Sequence, residues 1–77
     1  MNKKTLRRER FENVAARRVQ KVIDFLESLS NCSNRTNYEY TEDDVKKMFK
    51  AIREKVSLSE SAFGKQIDKS GKNAFKF

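Results

Sequence analysis

The chain has no histidine, no proline and no tryptophan, and only one cysteine and two glycines. Each shortage removes a class of chemistry. Without histidine there is no imidazole general base, and neither a Ser/His/Asp nor a Cys/His nucleophile pair can be assembled. Cys32 alone closes no intrachain disulfide, and with no histidine beside it no structural zinc set is available. The two glycines do not make a phosphate-cradling loop. No cofactor, metal or small-molecule substrate is therefore expected, and the chain reads as a binding protein, not an enzyme. No apolar run approaches the ~20 residues that span a bilayer, so no membrane partner is expected. The chain begins Met1-Asn2-Lys3-Lys4 and continues with many charged residues, unlike the apolar stretch of a secretory leader, and the expected location is cytoplasmic.

What is present is charge in regular spacing. Charged residues make up 38% of the 77 and apolar ones 36%, with a net charge of +7. A disordered linker would be richer in Pro, Gly and Ser and would lack periodic apolar positions. One domain of this size buries only ~60% of its unfolded surface and needs a staple. With disulfides and metals excluded, self-association or a partner remains. The excess of cations favours an anionic partner at long range. Residues 1–21 hold eight Lys or Arg against two Glu, a net of +6. Residues 22–64 carry a net of −2, and residues 65–77 a net of +3.

Thr5 is a suitable N-cap, and the spacing predicts a helix over about 6–29. At ~100° per residue, Phe11, Val14, Ala15, Val19, Val22, Ile23, Phe25, Leu26 and Leu29 share one broad face. Arg18 falls inside that face. It either snorkels or pairs within the chain, or it is an interface arginine that reaches a partner's acidic group or a phosphate. Ser30 and Asn31 favour an exit from the helix.

Residues 31–40 hold asparagines at positions 31, 34 and 37, a composition that favours ordered turns. Tyr38 and Tyr40 flank Glu39. Their rings either close the open end of a helical core or, with Asn34 and Arg35, form a partner-binding loop. Thr41 followed by Glu42-Asp43-Asp44 reads as a capping box with acidic residues at the positive end of a helix dipole, in preference to a metal site. Val45, Met48, Phe49, Ile52, Val56 and Phe63 then share a face. Gly64 stands where a terminating glycine would sit. The second helix is expected over about 42–63, with fraying at Ser57-Leu58-Ser59, and 65–77 is expected to be a basic flexible tail.

The expected fold is all-α: an antiparallel two-helix hairpin with an ordered Asn-rich connection, doubling into a four-helix bundle. Phe11, Val14, Val22, Leu26, Leu29, Val45, Phe49, Ile52 and Val56 are the expected core.

The run Asn31-Cys32-Ser33-Asn34, followed by Asn37-Tyr38-x-Tyr40-Thr41-x-x-Asp44-Val45 and Met48-Phe49-x-Ala51-Ile52, resembles a group of small helical proteins of Gram-positive bacteria, their plasmids, phages and integrative elements. The resemblance spans about Arg7 to Phe63. It implies a cytoplasmic accessory protein but no mechanism, since the group has no assigned activity. Arg7-Arg8-Glu9-Arg10 with Asn13 to Arg18 also looks, over about twelve residues, like the basic region of leucine-zipper transcription factors. Phe11, Val14, Ala15 and Val19 form an apolar face through that stretch, so it could not fork freely across a major groove.

Two functions remain. The first is nucleic-acid binding through phosphate contacts from Lys3, Lys4, Arg7, Arg8, Arg10, Arg17 and Lys21 and from the tail lysines Lys65, Lys69 and Lys72. The alternative is a protein–protein module, such as an inhibitor or adaptor encoded by a phage or mobile element. It would use Asn34, Arg35, Tyr38 and Tyr40 on an acidic or ribonucleoprotein host partner.

Overall fold

The computed structural model describes residues 5–71. Helix α1 spans Leu6–Ser30. It starts where Thr5, in extended backbone, turns its hydroxyl back to accept the Arg8 N–H at 3.0 Å. That hydrogen bond satisfies one of the free donors of the first turn. At the far end the Ser30 hydroxyl donates to the Leu26 carbonyl at 3.0 Å, and the Asn31 N–H reaches back to the Glu27 carbonyl. Both ends match the spacing in the sequence to within a residue.

A 3-10 turn, Asn31–Ser33, follows directly. Asn34 then organises the connection. Its side-chain oxygen accepts the Thr36 N–H at 2.9 Å, and its carbonyl accepts the N–H groups of Asn37 at 3.1 Å and Tyr38 at 3.0 Å. Asn31 and Asn34 both have negative φ. They act here through hydrogen bonds, with no recourse to the left-handed backbone that asparagine tolerates.

Helix α2 spans Glu42–Gly71. Its start is a reciprocal capping box. The Asp44 N–H donates to the Thr41 hydroxyl at 3.1 Å, and the Thr41 N–H donates to the Asp44 carboxylate at 2.8 Å. The expected stop at Gly64 and the fraying at Ser57-Leu58-Ser59 are both corrected, because the helix runs through them to Gly71. A helical glycine costs about 1 kcal/mol relative to alanine. That is too little to end a helix when the following residues, Lys65-Gln66-Ile67, are compatible and no proline intervenes. Nothing lies within 4 Å of a Cβ placed on Gly64, so packing does not require a glycine there. Residues 65–71 of the expected tail are thus helical, and residues 72–77 lie outside the described residues.

The chain divides into two compact units, Met1–Glu39 and Tyr40–Phe77. Both are helical, and no strand occurs among the described residues. The expected core is not buried: no described residue is fully buried. Val14, Leu29, Val45, Phe49 and Ile52 are half-buried, while Phe11, Val22, Leu26 and Val56 are exposed. The reason lies in the helix itself. A side chain on a single helix is shielded only by neighbours three and four residues away, and full burial needs a second surface. Among the described residues, no helix is long and apolar enough to cross a membrane.

Candidate nucleic-acid interface

The helical period sorts the expected phosphate-binding residues into unequal groups. Arg10, Arg17 and Lys21 fall within about 40° of one another around α1, and all three are exposed. They succeed one another at steps of seven and four residues, which place their Cα atoms about 10 Å and 6 Å apart along the axis. Glu9 and Glu27 fall on the neighbouring side, whereas Asp24, about 20° from Arg17, closes the row at its C-terminal end and accepts a hydrogen bond from Gln20 at 2.9 Å.

Arg7 and Arg18 do not join this edge, for both project along the line of Phe11, Val22 and Leu29. Arg8 turns elsewhere. Its Nε donates to the Glu12 carboxylate at 2.9 Å, and its guanidinium lies 5.6 Å from the centre of the Phe11 ring. An exposed pair of this kind contributes little stability, but it directs Arg8 along its own helix. Lys65 and Lys69 are exposed on α2, four residues apart and on the side away from Val45 and Phe49. Lys3, Lys4 and Lys72 lie outside the described residues.

A second cationic edge runs along α2, outside the residues expected to bind phosphate. Lys46, Lys50 and Arg53 follow one another at steps of four and three, with Lys47 beside them, and all are exposed. Apolar periodicity alone makes them the solvated side of a core helix. The signal that sets them apart is their own spacing, which repeats that of one helical face.

The loop residues separate between the two units. In the first, Asn34 is engaged in the turn, Arg35 is exposed, and Tyr38 is 51% exposed. In the second, Tyr40 is half-buried just before the α2 cap.

The acidic triplet Glu42-Asp43-Asp44 behaves as a helix start. The hydrogen bond from the Thr41 N–H, then the one with the Thr41 side chain and the nearby Lys47 charge, hold the Asp44 carboxyl below its ordinary pKa. Among the described residues, no group of three or more His, Cys, Asp or Glu is placed to hold a metal ion. Cys32 is exposed and free.

Searches against protein-family models, curated proteins and solved structures find no match to this chain.

Proposed function

We propose that this is a small basic accessory protein of the cytoplasm that binds nucleic acid through its phosphates, with no catalytic step of its own. The supporting observation is the edge formed by Arg10, Arg17 and Lys21, three exposed cations in line on α1. A straight row of charges suits a polyanion, because each phosphate neutralised releases a counterion and adds to affinity regardless of sequence. Lys65 and Lys69 offer two further exposed cations on α2. The net charge of +7 supplies long-range attraction.

The exposed apolar residues favour a second element of the reading. Phe25 is 72% exposed, Phe63 60% and Val22 55%. Such surfaces are stable in water once packed against other helices. An antiparallel hairpin that doubles into a four-helix bundle is the arrangement we propose for them. The same exposed residues, with Arg35 and Tyr38, would serve a protein partner if the protein acts as an inhibitor or adaptor on a host complex. The resemblance to proteins of Gram-positive mobile elements fits either role.

The test is retention of the purified chain on duplex DNA and on RNA as salt is raised. Binding at about 50 mM salt that falls steeply with salt supports the proposal, and no binding to either at that salt ends it. A pull-down from lysate with and without nuclease then separates the two readings. Partners lost with nuclease belong to the first, and partners retained belong to the second.

A further inference from the structure

Helix α2 carries an apolar seam that continues past the point where the sequence suggested an end. Val45, Phe49, Ile52, Val56, Ser59, Phe63 and Gln66 succeed one another at alternating steps of four and three, all within one continuous helix. That mean step of about 3.5 is the repeat with which one helix packs along another. Val56 is 51% exposed and Phe63 60%, so the seam presents its apolar surface to a partner.

From Phe49 to Gln66 the seam is its own complement when reversed. Laid antiparallel on a second α2, Ile52 meets the other copy's Phe63, Val56 meets its Ser59, and Phe49 meets its Gln66. Every layer pairs a residue that opens a step of four with one that opens a step of three, as antiparallel helices require. The edges of the seam decide between partners. Along one edge run Lys46, Arg53, Glu60 and Ile67. Reversed, Arg53 stands beside Glu60 of the other copy, twice by symmetry, and Lys46 stands beside Ile67. Along the other edge, Lys55 faces Ala62 and Met48 faces Lys69. No like charges meet in this register, whereas the neighbouring one that sets Val45 on Phe63 brings Arg53 against Arg53 and Lys55 against Lys55.

The same operation on α1 fails. Its seam, Phe11, Ala15, Arg18, Val22, Phe25 and Leu29, has the same alternating steps. Reversed on itself end to end, Phe11 on Leu29, it sets Lys21 against Lys21 and places Arg18 opposite Val22 in an apolar layer.

We propose that the face of α2 from Phe49 to Gln66 is where a second copy of this chain docks, antiparallel and two-fold symmetric, with Arg53 paired to Glu60 across the interface. This specifies the self-association within the proposed bundle and does not depend on nucleic acid. A foreign partner would give no reason for the charge order along one edge to match its own reverse.

The experiment is sedimentation equilibrium of the full chain, freed of nucleic acid, for wild type, R53E, E60R and an equimolar mixture of the two variants. Wild type is expected to dimerise. Each variant alone turns two attractive pairs repulsive and should dissociate about tenfold more readily. The mixture should recover wild-type association, because each copy then offers the charge that the other lacks. Unfolded variants could not recover on mixing, so the rescue also excludes misfolding as the cause. Self-association of either variant at wild-type strength overturns the proposal, as does a mixture no better than its components. DNA retention, which rests on Arg10, Arg17 and Lys21, is scored separately and can fail or succeed independently.

Discussion

The two helices share a seam of the same period but differ in what interrupts and flanks it. In α1 the seam is broken by Arg18, and a row of three cations runs along one edge. In α2 the seam is broken only by the small Ser59 and the uncharged Gln66, and its edge carries charges of both signs in self-complementary order. An interrupted seam beside a mainly cationic edge, closed only by Asp24, suits a polyanion. An uninterrupted seam beside a two-sign edge suits another helix. Amphipathic periodicity alone therefore does not assign a role, and the charges on either side of the apolar line decide it.

The largest effect expected from this contrast is on assembly. Phe49→Ala removes a half-buried ring from the α2 seam, and it should cost ~3–5 kcal/mol if a second surface covers that ring. Phe25→Ala, at the more exposed α1 position, should cost less. Thermal melts followed by circular dichroism at one fixed protein concentration check the pair. Equal and small losses would erase the distinction between the helices.

Next comes the salt response. R10Q/R17Q/K21Q should flatten the dependence of log K on log salt for duplex DNA by roughly 0.9 for each phosphate left unneutralised. K47Q/K50Q, on the cationic side of α2 and off the proposed seam, should flatten it less if α2 serves chiefly to pair with its copy. A larger effect from the α2 set would move the nucleic-acid surface from one helix to the other.

Much of this architecture is legible in the residues. Thr5 and Thr41 announce both helix starts because capping is local chemistry, settled by a side chain and the two or three amides that follow it. The exit at Ser30 and Asn31 is legible for the same reason. Gly64 misleads, because a glycine ends a helix only when the chain beyond it benefits from leaving, and Lys65-Gln66-Ile67 does not. Burial is legible only as a pattern. Phe11 and Val56 sit on the expected faces yet are exposed, since periodicity states which side is apolar and not what covers it. The cationic edge of α2 vanishes when charge is summed by segment, because Glu42, Asp43 and Asp44 in the first turn cancel in the sum the charges of Lys46, Lys50 and Arg53 that follow them along the helix.

The smallest effects lie at the caps, and they sharpen the same comparison. Thr41 both gives and receives a hydrogen bond with Asp44, whereas Thr5 only receives one from Arg8, a cation that cannot reciprocate. Thr41→Ala should therefore cost about 1 kcal/mol, and Thr5→Ala nearer to about 0.5 kcal/mol. The reciprocal box also gives α2 a pH dependence at its first turn that α1 lacks. Because the folded Asp44 carboxyl titrates below its ordinary value, its contribution is fully present above the ordinary carboxylate pKa. The contribution fades as pH falls through the lowered one. On acidification below about pH 4, the Thr41 amide should lose protection from hydrogen exchange and shift in an amide NMR spectrum, while the Arg8 amide, held by a hydroxyl, should not respond in that window. Asp44→Asn should abolish the Thr41 response. Parallel titration of the two amides would instead mean that both helices melt together, and that the start of α2 is no better fixed than that of α1.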